Sequence, residues 1–231
     1  MTPRLRSLFA LGFLALLPSL AVQAADPPRK QAREAVRVMA DMFDDAPDKS
    51  VPIDLLKNAR AIAVIPAMVK GGFVFSGQKG EGLISIRTKD GTWSNPNFIS
   101  VGGAGVGFQV GIQSTDVILV FRTDSGVDKI INGQFTMGAD ASAAAGPVGR
   151  SASAATNGQM QAEIYTYSRA KGLFVGVSLN GNRIAIDEDT NELVYGPGIT
   201  PRRIFEGGVT NVPSEVVDFR DKLEEYTSRN P

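Results

Sequence analysis

The sequence predicts an α+β fold: a β-rich single domain with a largely antiparallel sheet, glycine-rich bent strands and peripheral helices. Three observations predict it. Ser100 to Phe121 carries glycines at 102, 103, 105, 107 and 111, followed by the unbroken apolar run Val117 to Phe121. Glycine at that density suits backbones that bend or approach one another closely. Between the two, Phe108, Val110 and Ile112 alternate with Gln109, Gly111 and Gln113, a period of two that marks strand. Helical periodicity, by contrast, falls towards the two ends of the chain. Gly103-Ala-Gly105-Val-Gly107 with Asp124 downstream has the spacing of a dinucleotide-binding turn, but the helix such a turn must open is missing.

Composition narrows the function. With 231 residues, 43% of them hydrophobic, the chain can bury a real core. Cysteine and histidine are both absent, which removes disulfides, thiol chemistry, nitrogen or sulfur zinc sites and imidazole catalysis. Arg4 and Arg6 precede the apolar run Leu8 to Leu17, and Val22-Gln23-Ala24 supplies small residues for cleavage, so residues 1–24 read as a signal peptide and 25–231 as the mature domain. That leader predicts a periplasmic or secreted protein that meets membranes by surface contact. Without Arg4 and Arg6, the balance of 24 basic and 24 acidic residues becomes a net charge of about −2, which argues against nucleic acid as a partner.

Taken in order, Arg29 to Phe43 reads as the first helix, with Ala35, Val36, Met39, Met42 and Phe43 on its apolar side. Lys30, Arg33 and Arg37 fall at i, i+3 and i+7 and form a basic stripe beside that face. Such a stripe suits an anionic surface; the alternative is a solvated face of a docked helix that serves only solubility, in a structural envelope protein that binds another protein without lipid recognition. Ile53 to Arg60 is a second helix after Pro52, and Ala61 to Ile65 a buried strand stopped by Pro66. Lys70 to Gly77 and Gly82 to Thr88 are the next strands, separated by Gln78 to Glu81. Asp90-Gly91 forms a tight turn before Trp93. Val127 to Asn132 is either a short helix or a strand. The second small-residue tract, Phe135 to Arg150, is expected to lie against the first, where two backbones come close. Ala162 to Ser168 and Gly172 to Leu179 are strands, and Lys171-Gly-Leu-Phe-Val175 echoes Lys70-Gly-Gly-Phe-Val74 as equivalent strand starts. Asn180-Gly181 turns into the strand Arg183 to Ile186. Thr200 caps and Pro201 opens a short helix closed by Gly207, and Ser214 to Tyr226 is the last helix, with Val216, Phe219, Leu223 and Tyr226 inward.

Catalysis has little to stand on. Ser76, Ser168 and Ser178 lie near Lys70 or Lys171 in sequence, and Asp187 with Asp189 offers two carboxylates, but no nucleophile motif is met. The acids read better as a turn or helix start, and the calcium loop pattern is absent. No catalytic residue, metal or cofactor is expected.

The ordered set Ile65-Pro66, Lys70 to Gly77, Asp90-Gly-Thr-Trp-Ser94 with Pro96, Gly102 to Gly111, Ala144-Ala-Gly-Pro147 with Gly149-Arg150, Tyr167 to Phe174 and Tyr195-Gly196 resembles the SYLF domain family. The resemblance covers roughly Ile53 to Gly207. It implies a β-rich α+β domain that binds anionic phospholipids through a basic amphipathic helix at its N-terminus, the place held here by Lys30, Arg33 and Arg37. Some fungal relatives also bind actin filaments, and the export leader makes actin an unexpected partner for this chain. Arg202 and Arg203, in the first turn after Thr200-Pro201, add a second candidate headgroup or anion contact, with pairing to Asp187 or Glu206 as the alternative.

Overall fold

The computed structural model describes residues 26–44, 50–72, 75–106, 111–133, 135–148, 162–175 and 179–228. The expected leader, Gly107 to Val110, Gly149-Arg150 and Ser178 lie outside them. In chain order the elements are α1 (Pro27–Phe43), α2 (Ile53–Lys57), β1 (Ala61–Gly72), β2 (Phe75–Ile86), β3 (Asn97–Val106), β4 (Gly111–Phe121), α3 (Asp124–Ile131), β5 (Phe135–Thr136), β6 (Ala143–Ala145), β7 (Ile164–Ala170), β8 (Leu173–Phe174), β9 (Arg183–Ile186), α4 (Glu188–Tyr195), α5 (Pro201–Phe205) and α6 (Ser214–Ser228).

The strands form one sheet in the order β5-β9-β3-β2-β1-β4-β7-β6, with β8 on β7. Every pairing of these strands is antiparallel except β6 with β7. This is the expected α+β class. The two end strands, β5 and β6, are joined by residues 137–142 alone, where Met137 bridges Ala141, so the sheet curls until its ends nearly meet.

Alternation along the strands makes two cores. On one face Ile62, Val64, Leu83, Phe98, Ile118, Val120, Tyr165 and Tyr167 pack under α1 and α6. On the other, inside the curl, Ala63, Ile65, Ile84, Ile99, Val117, Leu119 and Phe121 pack with α3, Phe135 and Phe205. Helices α1 and α6 run side by side and parallel: Arg33 meets Glu215 near their starts, and Phe43 stacks edge-on against Tyr226 near their ends, ring centroids 5.0 Å apart. Asn97 and Asn191, both buried, join α4 to the sheet. Asn191 accepts from the Phe98 N–H at 2.9 Å, and Asn97 donates to the Pro201 carbonyl at 3.1 Å.

Several expected boundaries move, each for a local reason. Pro66 does not end β1. The strand bulges around it, with Ala67 at φ 48 and its N–H donated to Asp116 at 2.8 Å, and pairing resumes at Met68. Gln78 to Glu81, read as a connection, is mid-strand in β2, because Lys70 and Val69 pair with Gln78 and Lys79. Val127 to Asn132 resolves as helix α3. The second helix stops at Lys57. The two small-residue tracts meet through large side chains, Phe121 against Phe135 at 6.0 Å between ring centroids, and their glycines serve other contacts. Gly146 lies against the Tyr167 ring, where an added Cβ would sit 2.1 Å from Cζ, while Gly103 makes room for Asn182. Asn180-Gly181 is a turn, with Gly181 at φ 84, but β8 and β9 on either side of it do not pair.

Candidate functional site

Helix α1 forms where Ala32, Ala35, Val38, Met39, Met42 and Phe43 recur on one side, all buried, behind a start set by Pro27 and Pro28. Its apolar side is consumed by the sheet and α6. The opposite side carries the basic stripe, and the structure brings Lys30, Arg33 and Arg37 together on it, all exposed.

Two of the three cations are already partnered. Arg33 reaches Glu215 of α6 at 2.9 Å. Arg37 sits among three carboxylates, Glu34 at 2.9 Å, Asp41 at 2.5 Å and Asp116 of β4 at 3.5 Å. Its guanidinium is held above the ordinary arginine value, first by the hydrogen bond to Glu34; the opposing cost of burial comes next, and the charges of Asp116, Asp41 and Glu34 add to the rise. Glu215 titrates below the usual glutamate range, because its own backbone N–H stabilises the carboxylate at the start of α6 and Arg29 and Arg33 lie close. The Lys30 ammonium has no ion pair among the described residues. Arg37 and its partners are half exposed, so each pair contributes no more than about 0.5 kcal/mol.

Arg202 and Arg203 stand apart on α5, where Thr200 caps the Arg203 N–H at 3.3 Å as the sequence implied. Arg202 lies 3.9 Å from Glu206, both well exposed, and the Arg203 Nε donates to the Gly208 carbonyl at 3.1 Å. Asp187, the other acid considered for them, caps α4 instead, accepting from the Thr190 N–H at 3.0 Å.

Of the imagined nucleophiles, Ser178 lies outside the described residues and Ser168 is committed to a backbone contact. The Ser168 hydroxyl donates to the Val175 carbonyl, closing the β7–β8 hairpin. Burial pushes the Tyr167 and Tyr195 hydroxyls far up, and each donates to a backbone carbonyl, of Pro147 and Pro96 respectively. Among the described residues no group of acidic side chains is placed to hold a metal ion, and no helix is long and apolar enough to cross a membrane. What sequence reasoning missed is a second set of cations at one end of the sheet. Lys70 lies near the end of β1 and Lys171 in the β7–β8 turn, at the same end. The signal was present in the Lys-Gly echo, but it marks strand ends, not strand starts.

Comparison with known proteins places the chain. Residues 102–226, more than half of it, match the family model described as "Ysc84: Las17-binding protein actin regulator". It is 37% identical over 199 residues to LAS seventeen-binding protein 3 of Saccharomyces cerevisiae, covering 83% of this chain and 43% of that protein. Protein YSC84 of the same yeast is 39% identical over 170 residues, 72% of this chain and 36% of that protein. The human SH3 domain-containing YSC84-like protein 1 is 29% identical over 206 residues, 87% and 60%. The chain thus spans less than two thirds of each relative's length. Two expectations are corrected here. The family description names actin regulation, which overturns the expectation that actin is foreign to this chain. The relatives are yeast and mammalian proteins named for Las17 binding and SH3 domains, which overturns the periplasmic or secreted address drawn from the leader. By the extent of the family match and the identity to its yeast relatives, the chain belongs to the Ysc84 family, the family of the SYLF domain.

Proposed function

We propose that this domain is a non-enzymatic module that docks on anionic phospholipid surfaces through the outward stripe of α1. The observation that carries it is the division of α1: its apolar side belongs wholly to the core, and its exposed side carries Lys30, Arg33 and Arg37. Contact through α1 is therefore electrostatic and superficial, and α1 stays docked. Basic residues near an anionic membrane contribute about 1 kcal/mol each and are screened by salt. Arg33 and Arg37 must exchange carboxylates for lipid phosphates, so their share is smaller than that of Lys30. Arg202 and Arg203 form a secondary contact in the same proposal, one partner each already in place.

Flotation with phosphatidylserine-containing and neutral vesicles tests this reading. The unmodified domain is expected to float with anionic vesicles only, and less at high salt. Replacing Lys30, Arg33 and Arg37 by Gln weakens binding about tenfold, and replacing Arg202 and Arg203 by Ala about twofold. Equal flotation with neutral vesicles, or an unchanged triple variant, ends the assignment to α1.

A second reading is favoured by the family description and the relatives' names: a protein partner in the machinery that regulates actin. Co-sedimentation with actin filaments, with and without the triple substitution, separates it from the lipid reading.

A further inference from the structure

The β7–β8 hairpin carries two features that folding alone disfavours. Lys171 occupies the left-handed region at φ 49, followed by Gly172 at φ 79, so the two-residue turn needs positive φ at both positions. Asn or Gly adopts that conformation at lower cost than Lys. Leu173 follows with 69% of its surface exposed. Looseness is not the reason. Beneath the tip, Phe174 packs edge-on against Tyr167 at 6.4 Å, and the Arg169 guanidinium lies 5.8 Å from its ring centroid. The Val175 N–H donates to the Ser168 carbonyl at 2.9 Å. The hairpin is held rigidly, with a leucine and a lysine projected from it.

Its surroundings are basic. Arg169 pairs with Asp116 across β4, and Val69 pairs with Ser114, so the turn lies level with Val69 and Lys70, two strands or roughly 10 Å away. Lys79 pairs with Val69 on the next strand. The acids near it have partners: Glu81 lies 3.5 Å from Lys79, Asp116 holds Arg37 and the Ala67 N–H, and Asp41, whose backbone carbonyl accepts from Arg169 of β7, pairs through its side chain with Arg37. Lys70 and Lys171 have no ion pair among the described residues. An exposed leucine beside Lys171, with Lys70 level with it, fits the boundary of an anionic bilayer, where apolar groups enter the acyl region and ammonium groups meet phosphates.

Resting on the lipid reading above, we infer that the tip Lys171 to Leu173 is where the domain enters an anionic membrane, Leu173 inserting and Lys171 and Lys70 contacting headgroup phosphates. The absence of cysteine allows a direct test. Leu173→Cys and, as control, Leu193→Cys on α4, equally exposed at 72%, are each labelled with an environment-sensitive dye and mixed with phosphatidylcholine vesicles containing phosphatidylserine. The label at 173 is expected to blue-shift and brighten, and the label at 193 to stay unchanged. In unlabelled protein, Leu173→Asp is expected to weaken vesicle binding on the order of tenfold and Lys171→Gln about fivefold. Vesicle binding by the unmodified domain with no shift at 173, an equal shift at 193, or full affinity in Leu173→Asp overturns the insertion point and leaves lipid binding standing. No vesicle binding by the unmodified domain removes both.

Discussion

Ala67 is a residue whose identity works against its backbone. At φ 48 a Cβ crowds the following carbonyl, and the position persists because the bulge around Pro66 needs it and Asp116 accepts the Ala67 N–H. Ala67→Gly is therefore expected to stabilise the domain by about 1 kcal/mol, read as a higher midpoint in urea with an unchanged slope. The opposite exchange at Gly146 is expected to cost about 2 kcal/mol, because a methyl group there would overlap the buried Tyr167 ring. Glu163 gives a pH signature. It accepts from the Ser142 N–H and from the Ser125 hydroxyl, which hold its carboxylate below the usual glutamate range. A depressed folded value means stability present above the ordinary glutamate pKa and lost as pH falls through the folded one. Melting temperatures of Glu163→Gln should thus fall less between neutral pH and pH values under about 4 than those of the unmodified chain.

At the scale of elements, helices were more legible than strands. Thr200-Pro201 and the 216, 219, 223, 226 repeat are local signals, and both hold in α5 and α6. β1 and β2 were cut short in the reading because Pro66 and the polar Gln78 to Glu81 look like breaks. Only cross-strand pairing, invisible in one sequence, carries the chain through them. The same limit applied to the stripe: its spacing was evident, but Glu215 and Asp116 arrive from elements far along the chain to partner Arg33 and Arg37. Neutralising one carboxylate beside each arginine, Glu215 at Arg33 and Asp41 at Arg37, should expose the cations. Glu215→Gln with Asp41→Asn is expected to raise affinity for anionic vesicles several-fold, near the contribution of one basic residue, and unchanged flotation would show that the ion pairs do not restrain the stripe. The α1–α6 seam itself depends on large apolar groups, and Phe219→Ala should cost about 4 kcal/mol by chemical denaturation.

For the whole molecule, fold class was readable because alternation and glycine density are global habits of the chain, whereas the curl depends on residues 137–142 tying β5 to β6, which no periodicity announces. The side-by-side placement of α1 and α6 has a temporal consequence. α1 finds its helical neighbour only in α6, after the whole sheet has been made, so a chain emerging from the ribosome keeps one greasy flank of α1 uncovered until the residues from Ser214 onward follow. Synthesis stalled before Ser214 would leave Phe43, Trp93 and the α1 underside without their cover and in need of a chaperone. Completion of the fifteen-residue helix α6 supplies that cover in one step.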